Sequence, residues 1–267
     1  MLRSWIEPLY ERYLRWQVKH IPLHVAVIQD GNRRFARDQG LDRAVGHRRG
    51  ADTTEEFLDW ACDLGIRHIT LYTFSTENFR RDKDELAALF TLFQEKFAAI
   101  MTDERVHRNH IRVQMIGDRS LLPDDLLATI DAAEEATLAY DDYYINIALA
   151  YGGRNEIVHA ARSILDEVRQ GAIDPATIGT TTVETHLHRG APIPPVDLII
   201  RTGNDCRTSN FLPWLANGHE SAVYFCAPYW PAFRRIDLLR SMRVYDQRMR
   251  LKERASLLSP SEPAGYT

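Results

Sequence analysis

Length, composition and charge exclude several classes of protein at the outset. The chain has 267 residues, 45% hydrophobic and 26% charged, which is typical of a globular domain and unlike a disordered or membrane-embedded chain. Its formal net charge of −4 argues against nucleic acid as a partner, because proteins that bind nucleic acid usually carry a basic surface.

Cysteine spacing and apolar runs indicate the compartment. The three cysteines, Cys62, Cys206 and Cys226, are far apart and form no C-x-x-C pair, so we predict reduced thiols rather than disulfides or a zinc site. No apolar run approaches the roughly 18 residues that a membrane span needs, and the N-terminus lacks the apolar region of a signal peptide. We therefore expect a cytoplasmic protein.

The first twenty residues predict an amphipathic helix. Trp5, Leu9, Tyr13 and Trp16 fall near one face, and we expect that face to pack on the body of the protein. Because basic and aromatic residues occur together in this helix, peripheral contact with a membrane surface remains an open alternative.

The stretch His24–Ala36 combines a short strand with a polar turn. Its first six residues are mostly β-branched or apolar and predict a buried strand. The sequence Asp-Gly-Asn at 30–32 then breaks the strand with turn chemistry. Two arginines, Arg33 and Arg34, follow on what we expect to be the first turn of a helix.

This arrangement suits a polyanion and a metal ion. A helix N-terminus favours negative charge, and arginine binds phosphate oxygens through two parallel hydrogen bonds. The single carboxylate of Asp30 suits Mg²⁺, which takes few protein ligands and shares substrate phosphate oxygens. The stretch matches neither common nucleotide-binding loop. The simpler alternative is a strand, a turn and a helix whose arginines are merely solvated.

The rest of the chain alternates predicted helices and strands. Strands are predicted at 67–74, 111–116, 143–150, 196–200 and 222–226, with a connector holding one short helix at 172–195. Helices are predicted at 82–100, 123–140, 153–171, 235–251, and at 43–64 with an apolar stripe of Val45, Phe57, Leu58 and Ala61. The alternation favours parallel strands with helices on both faces, so we predict a single α/β domain.

Three polar loops are predicted at one edge of this sheet. Ligands of such folds bind where loops leave the carboxyl ends of the strands. The loops Asp30–Arg34, Ser75–Arg81 and Arg201–Ser209 all occupy such positions. We therefore expect them to form one site.

Several motifs, in order along the chain, carry a resemblance to a known family. They are DGNRRFA at 30–36, Arg43 with GH at 46–47, TFSTENFRR at 73–81, LAYGGRNEI at 149–157, IRTGNDCRTSNFLPW at 200–214, and Glu220 with AVYF. Together they resemble the cis-prenyltransferases, the enzymes of the undecaprenyl and dehydrodolichyl diphosphate synthase type. The resemblance covers roughly residues 20–250, and the stretch around SNFLPW looks most similar to the archaeal members.

The resemblance implies a fold, a reaction and an assembly. A six-stranded, mainly parallel sheet flanked by helices would enclose an apolar tunnel within residues 21–252, between the helix at 1–20 and a flexible tail at 253–267. An allylic prenyl diphosphate would condense with isopentenyl diphosphate in the presence of Mg²⁺, giving a (Z)-polyprenyl diphosphate. The family also implies a homodimer.

The resemblance implies roles for individual residues. Asp30 matches an aspartate that handles the metal and the diphosphate, and Glu220 matches a second metal-linked carboxylate. Asn78 matches an asparagine proposed to assist proton removal; because an amide is a poor base, a positioning role fits equally well. The positions implied to bind substrate are Gly31, Asn32, Arg33, Arg34, Phe35, Arg43, His47, Ser75, Thr76, Glu77, Phe79, Arg81, Arg201, Arg207, Thr208 and Ser209. Among them, Arg201, Arg207 and Ser209 match the clamp for isopentenyl diphosphate.

Departures from the family pattern keep alternatives open. Asn204 replaces the second glycine of the usual RTGG, Cys206 lies inside the clamp, and Phe79 stands where many members have tryptophan. No R-x-G segment follows the closing helix, which leaves irregular head-to-middle coupling of two allylic diphosphates as an alternative to chain elongation. A non-catalytic subunit of a heteromeric prenyltransferase is a second alternative, against which the retained charged cluster argues. A nucleic-acid-binding protein is the least supported.

The helix at 82–100 has two interpretations. Its apolar side chains Leu86, Leu89, Phe90, Phe93 and Phe97 recur at helical spacing. All five would be plain core in the simpler interpretation. In the resembling family this helix lines the tunnel, so we expect some of these side chains to limit product length.

Overall fold

A computed structural model describes residues 2–216 and 221–258, with the side chains of 6–188, 190–216 and 221–256. Glu220 and the side chain of Trp5 therefore lie outside the described residues. The described chain forms one α/β layer structure around a single sheet, as predicted.

Six strands pair in parallel throughout, in the order β3-β4-β2-β1-β5-β6. Their bounds are β1 His24–Ile28, β2 His68–Ser75, β3 Ile111–Ile116, β4 Tyr143–Tyr151, β5 Leu198–Arg201 and β6 Ala222–Phe225. The predicted α/β class with a six-stranded parallel sheet is therefore confirmed.

Helices connect the strands and cover the sheet. Their bounds are α1 Leu2–Gln17, α2 Asn32–Asp38, α3 Arg43–Leu64, α4 Lys83–Ile100, α5 Glu104–Arg108, α6 Asp124–Thr137, α7 Gly153–Arg169, α8 Thr180–His186 and α9 Arg235–Leu258. Helix α3 has its predicted bounds, because Asp42 caps its first turn and Gly65 ends it in the left-handed conformation. None of the described helices is long and apolar enough to cross a membrane.

The strand order explains why the three polar loops meet. Strand β1 lies between β2 and β5, and all five of its residues are buried. Parallel neighbours end at the same edge of a sheet. The loops that begin at Asp30, Ser75 and Thr202 are therefore adjacent, as the sequence predicted.

The two faces of the sheet carry separate apolar clusters. The larger cluster includes Phe57 of α3, Phe93 of α4 and Trp230, whose ring lies 5.6 Å from that of Phe57. The smaller cluster packs Tyr72 of β2 against Phe211, with stacked rings 4.5 Å apart. The two clusters hold helices and loops against both faces, which fixes the positions of the loops at the edge.

Some predictions differ from the structure. The short helix α5 was not predicted, and Val45 of the proposed α3 stripe is exposed. Helix α9 extends to Leu258, past its predicted end at residue 251. A five-residue helix has too few turns to show periodicity, which explains why α5 escaped detection.

The expected packing face of α1 is wrong. Leu9, Tyr13 and Trp16 are exposed, whereas Leu14 is fully buried and Tyr10 packs against the main core. Helix α1 therefore uses the opposite face from the one expected. Periodicity cannot choose between two apolar faces of one helix, because both repeat with the same period.

A row of hydrogen-bonded polar side chains crosses four strands, on the face of the sheet that carries the smaller cluster. The Nε2 of His24 lies 2.7 Å from the Thr70 hydroxyl, which accepts a hydrogen bond from the Asn146 amide at 3.0 Å. The Asn146 oxygen accepts in turn from Gln114 at 2.6 Å. His24 Nδ1 lies 2.8 Å from the carbonyl of Pro194 and must donate to it. With His24 neutral, each hydrogen bond in this row has one donor and one acceptor.

We predict that this histidine makes the protein sensitive to mild acid. Burial lowers the pKa of His24 from 6.5 to about 4. As the pH falls, His24 is therefore protonated in the unfolded chain at a higher pH than in the folded protein. Its contribution to the free energy of unfolding is complete above pH 6.5 and declines by about 3 kcal/mol as the pH falls to 4. Urea unfolding at several pH values measures the decline.

The matched control is the exposed His159 of α7. We expect His24→Gln to reduce the pH slope of stability and His159→Gln to leave it unchanged. An unaltered slope in His24→Gln would assign the acid sensitivity to other groups.

Candidate active site

A cavity of ≈ 820 Å³ opens at the carboxyl edge of β2, β1 and β5. Polar residues from all three loops line one part of it. Apolar residues from the middle of β2 and β4 and from successive turns of α4 line the rest: Leu71, Leu89, Leu92, Phe93, Phe97, Ile100 and Ile147. The cavity thus joins a charged opening to an apolar interior.

Main-chain contacts fix Asp30 at the end of β1. Its N–H donates to the Thr202 hydroxyl at 3.0 Å, and its carbonyl accepts from that hydroxyl at 2.7 Å and from the Trp230 N–H at 3.0 Å. The carboxylate then bridges two arginines. Arg34 lies 2.9 Å from Oδ1, and Arg201 donates to Oδ2 at 2.8 Å. Asp30 is therefore held in place and aimed into the cavity opening.

The DGN turn requires glycine at 31. Gly31 has φ +110, and an added Cβ would lie 2.6 Å from the ring of Tyr229. The ring of Tyr229 also lies 5.3 Å from the Arg34 guanidinium, which further places that arginine. Glycine at this position brings the start of α2 close to the loop before α9.

The GH motif sets the distance between α2 and α3. An added Cβ on Gly46 would lie 2.4 Å from the carbonyl oxygen of Asn32, and one on Gly50 would lie 2.5 Å from the Asn32 side chain. Two glycines one turn apart therefore allow the helices to approach closely. The close approach brings His47 into the cavity wall beside the arginines of α2.

A buried carboxylate that the sequence analysis missed lies at the centre of the positive charge. The side chain of Glu85 in α4 is 4% exposed, and three guanidiniums and the His47 imidazole surround it. Its Oε1 lies 3.1 Å from Arg81 Nη1, 3.1 Å from His47 Nε2 and 3.5 Å from Arg33 Nε, and its Oε2 lies 3.3 Å from Arg43 Nη1. Glu85 lies four residues after Arg81, and this i, i+4 spacing of opposite charges was the one local signal for Glu85 in the sequence.

The environment of His47 favours its neutral form. Burial lowers the pKa of His47 below its usual value, and the hydrogen bond to Glu85 opposes this shift. Burial also lowers the pKa of Arg81, which nevertheless stays charged. The cluster therefore balances one carboxylate against three guanidiniums.

The loop after β2 is a 3-10 turn at Thr76–Arg80 with a reciprocal cap. The Asn78 oxygen accepts from the Ser75 N–H at 3.0 Å, and the Ser75 side chain faces the N–H of residue 78. Phe79 packs edge-on against Phe74 at 4.9 Å. The phenylalanine that replaces the usual tryptophan is thus an anchor for this loop, while Asn78 lines the cavity.

Arg201 organises the loop after β5. Its buried guanidinium donates to Ser209 Oγ at 2.6 Å and to Asp205 at 2.9 Å, as well as to Asp30. Arg207 is exposed and lies 3.1 Å from the same Asp205 carboxylate. The sequence analysis did not predict Asp205, although it lies within the predicted clamp.

Asn210 ties this loop to α7. Its main-chain and side-chain oxygens accept from the N–H groups of Gly153 at 3.0 Å and Arg154 at 3.0 Å. Ser209 and Asn210 both have positive φ, 49 and 60, a conformation that non-glycine residues seldom adopt. The LAYGGRNEI motif therefore supports the loop that carries Ser209.

The structure brings together most of the predicted site residues. Those that line the cavity are Asp30, Gly31, Asn32, Arg33, Arg34, Arg43, His47, Ser75, Asn78, Arg81, Arg201 and Ser209. Others lie beside it: Phe35 faces Arg49, Thr76 lies against Gly152, Phe79 packs on Phe74, and Glu77, Arg207 and Thr208 are exposed. Glu220 lies outside the described residues.

The donor set fits a magnesium ion that is bound mainly by substrate. Among the described residues, no group of three or more histidine, cysteine or carboxylate side chains could hold a metal alone. Mg²⁺ is usually bound through one or two carboxylates together with substrate phosphates. The Asp30 carboxylate, half-exposed at the cavity opening among cations that would hold a diphosphate, meets that requirement.

Three of the five apolar side chains singled out in α4 belong to the core cluster and also line the cavity. Leu89, Phe93 and Phe97 line the cavity, together with Leu92, which the sequence analysis did not single out. Leu86 and Phe90 pack on the core and do not line it. A second cavity of ≈ 160 Å³ lies beyond, and it shares Thr54, Leu71, Lys96, Ile100 and Ile147 with the first.

Comparisons with known proteins agree with the motifs. A family model described as putative undecaprenyl diphosphate synthase matches residues 28–252. The tritrans,polycis-undecaprenyl-diphosphate synthase (geranylgeranyl-diphosphate specific) of Halobacterium salinarum is 50% identical over 240 residues, covering 90% of this chain and 79% of the relative. The enzyme of the same name from Methanocaldococcus jannaschii is 46% identical over 250 residues, covering 92% and 89%. The expected similarity to archaeal members is confirmed.

Solved structures share the fold. The crystal structure of lavandulyl diphosphate synthase from Lavandula x intermedia, in complex with dimethylallyl diphosphate, matches with a TM-score of 0.79 and 34% identity over 84% of this chain and 95% of that one. A probable undecaprenyl diphosphate synthase from Campylobacter jejuni matches with a TM-score of 0.68 and 28% identity over 85% and 95%.

We predict that Glu85 occupies the place of an anion in the charged cluster. Without ligand, Glu85→Gln removes the carboxylate partner of Arg33 and Arg81, while Arg43 keeps Asp82 at 2.8 Å, and we expect the free energy of unfolding to fall by about 1.5–3 kcal/mol. With inorganic pyrophosphate the cations are compensated again. The rise in melting temperature on adding pyrophosphate should therefore be larger in Glu85→Gln than in the unaltered protein.

Glu95 of α4 provides the control, since it is exposed and pairs with Arg48 at 3.1 Å on the outer side of the helix. We expect Glu95→Gln to change neither quantity. A destabilised Glu85→Gln protein with an unchanged response to pyrophosphate would show that Glu85 is structural and does not compete with anions.

Proposed function

The chain belongs to the undecaprenyl diphosphate synthase family and is a cis-prenyltransferase, and we propose that it extends geranylgeranyl diphosphate with isopentenyl diphosphate in a Mg²⁺-dependent reaction. The relatives at 46–50% identity carry the geranylgeranyl specificity in their names. The observation that supports this most is the Asp30 carboxylate between Arg34 and Arg201, at the charged opening of an apolar cavity.

The loop after β1 is our proposed site for the allylic diphosphate. The backbone N–H groups at the start of α2 and the guanidiniums of Arg33, Arg34 and Arg43 surround the opening. In the solved structure of lavandulyl diphosphate synthase, the same fold binds dimethylallyl diphosphate. As the allylic C1–O bond breaks, negative charge grows on the departing diphosphate, and these fixed cations stabilise it.

Asp30 is our proposed ligand for Mg²⁺, together with diphosphate oxygens. When bound, the ion neutralises charge on the leaving diphosphate. Each Asp30 oxygen accepts one guanidinium hydrogen bond and keeps a further lone pair with which it could hold the ion. Arg34 is half-exposed and Arg201 is buried, so we propose that Arg34 turns to the diphosphate and Arg201 stays.

The loop after β5 is our proposed clamp for isopentenyl diphosphate. Arg201 and Ser209 lie inside the cavity opening, and Arg207 is free to turn inward from its exposed position beside Asp205. Arg201 contacts both Asp30 and Ser209, so one guanidinium links the two diphosphate sites. This link holds the alkene of isopentenyl diphosphate against the allylic C1, which is how positioning lowers the barrier.

For Asn78 we propose a positioning role. Its side-chain oxygen already accepts from the Ser75 N–H, and a neutral amide is a weak base. The side chain fixes the loop beside the cavity, and the acidic proton of the condensation intermediate can pass to a diphosphate oxygen. Glu220 is retained as a proposed second metal-linked carboxylate.

A homodimer and a cytoplasmic location complete the proposal. Strand β6 is an edge strand whose Ala222 packs into the core while its alternate residues Val223 and Phe225 are exposed. An exposed apolar edge of this kind favours association. Light scattering of the purified protein measures the number of subunits.

Irregular coupling of two allylic diphosphates remains the second candidate, since no R-x-G segment follows α9. The loop after β5 argues for elongation, because Arg201, Arg207 and Ser209 give isopentenyl diphosphate a clamp of its own. A non-catalytic subunit would have no use for the cation cluster around Glu85.

The reaction itself is the decisive test. With Mg²⁺, geranylgeranyl diphosphate and labelled isopentenyl diphosphate, the protein should form labelled polyprenyl diphosphates, and chelation of the metal should stop the reaction. Asp30→Asn should reduce the rate by about 10²–10³-fold or more, because it removes a fixed charge where charge develops. Shorter allylic primers should react more slowly than geranylgeranyl diphosphate.

Asp38→Asn is the matched control, since Asp38 is an exposed carboxylate at the far end of α2, the helix that follows Asp30, and pairs with Arg37. Near-normal turnover in a folded Asp30→Asn protein would contradict the proposed site. Coupling of two allylic diphosphates without incorporation of the label would establish the irregular reaction, and no product with any primer would establish the non-catalytic role.

We predict that Phe93 and Phe97 limit product length. Both line the apolar part of the cavity, so Phe93→Ala and Phe97→Ala should lengthen the product by at least one isoprene unit. Phe90 packs on Phe74 and Phe79 instead. Phe90→Ala should therefore lower stability by about 3 kcal/mol and leave the product unchanged.

Chromatography of the dephosphorylated products, with melting temperatures for each variant, separates the two effects. Products of unaltered length in both Phe93→Ala and Phe97→Ala would exclude α4 as the determinant of chain length.

A further inference from the structure

Helix α1 presents an apolar stripe to solvent. Ile6, Leu9, Tyr13 and Trp16 are 57%, 65%, 49% and 68% exposed. Their spacing of three, four and three residues places them along one side of the helix. Large apolar side chains scattered singly over a surface need no explanation, but a contiguous row that includes two aromatic residues usually marks an interaction site.

The body of the protein holds this stripe outward. On the opposite side, Leu14 is fully buried, and the Arg240 guanidinium of α9 lies 5.6 Å from the Tyr10 ring. Arg234 pairs with Glu7 at 2.8 Å. Because α1 is already packed on α9 through this side, the stripe is free to meet a partner without any rearrangement of the helix.

The charges beside the stripe have one sign. Between residues 6 and 20, the charged side chains that are exposed are Arg12, Arg15 and Lys19. The acidic residues of this segment are less exposed, and one of them, Glu7, is neutralised by Arg234. This local positive charge stands out in a chain with a net charge of −4.

The adjacent part of α9 extends the same kind of surface. Arg250 of α9 donates to the Gln17 carbonyl at 2.6 Å, so the last turn of α1 meets this part of α9. The next residue, Leu251, is 65% exposed, and Arg254 is exposed one turn later. Apolar and basic side chains thus continue from one helix to the other, together with one exposed carboxylate, Glu253, which lies 3.0 Å from His20.

We propose that α1 is a docking helix that lies in the plane of an anionic lipid bilayer. The stripe would enter the boundary between headgroups and acyl chains, where tyrosine and tryptophan side chains are favoured. Arg12, Arg15 and Lys19 would meet lipid phosphates, and each cation near an anionic surface strengthens binding. The helix lies on the surface and does not span the bilayer. Docking through α1 does not depend on which reaction the protein catalyses.

The charges favour lipid over a second copy of the chain as the occupant. A stripe with 3-4-3 spacing can also form a two-helix interface. Two copies of α1 would bring six exposed cations together, with no exposed acidic side chains between residues 6 and 20 to balance them. An anionic bilayer provides the complementary charge.

Vesicle sedimentation tests the proposal with the full chain. The protein should bind vesicles of phosphatidylcholine with 25% phosphatidylglycerol and bind pure phosphatidylcholine at least tenfold more weakly. The double variant Leu9→Ser with Trp16→Ser should lose at least tenfold in affinity for the anionic vesicles. The double variant Arg12→Gln with Arg15→Gln should lose about fivefold in affinity for the anionic vesicles for each cation removed, and its binding should depend less on salt concentration.

The control replaces two leucines that are exposed elsewhere, Leu121 at 44% and Leu138 at 51%. Leu121→Ser with Leu138→Ser should bind vesicles like the unaltered protein. Equal binding by the α1 double variant, or no binding by the unaltered protein, would overturn the proposal. A fall in molar mass by light scattering in the α1 double variant would also overturn it, since the stripe would then be an interface between copies. Prenyl transfer to a detergent-solubilised primer should be unchanged in the α1 double variant.

Discussion

The site depends on the hydrogen bonds of one buried guanidinium, that of Arg201. Its neighbour in the sheet register is Ile28, two residues before Asp30. The parallel pairing of β1 and β5 therefore delivers the Asp30 carboxylate and the Arg201 guanidinium to the same point. From there Arg201 reaches Asp205 and Ser209 in its own loop. Because a buried charge without a partner is costly, these contacts make the two loops a single rigid unit.

The same logic applies to the charges as a set. Asp30, Glu85 and Asp205 each accept guanidinium hydrogen bonds that a diphosphate would otherwise accept. At the proposed site, binding of a diphosphate would exchange one set of anionic partners for another around cations that are already in position. An exchange yields less affinity than the contacts would suggest, because the broken pairs offset it. It favours ligands of high charge density, since only these replace several carboxylate contacts at once.

The sequence was sufficient for the fold and for the meeting of the three polar loops at one edge of the sheet, but it could not provide contacts between distant elements. Alternation of strands and helices predicted the parallel sheet, and turn chemistry placed Asp30 at a strand end. Glu85 escaped notice because three of its four basic neighbours, Arg33, Arg43 and His47, come from α2 and α3, far away in the chain. The packing face of α1 was misassigned for a different reason. Tyr10 with Leu14 and Leu9 with Trp16 define two apolar sides, and only the tertiary structure shows which one α9 covers.

Long charged side chains bridge α3 and its neighbouring helices beside the apolar cavity, and one of them, Lys96, also lines it. Ion pairs join Arg48 to Glu95 and Lys96 to Glu55, and Arg105 of α5 reaches Asp59 of α3. Exposed ion pairs contribute little stability and weaken with salt. The bridges therefore add little to the free energy of unfolding, and the position of the site depends on the sheet, in which β1 and β2 are each hydrogen-bonded to a parallel strand on both sides.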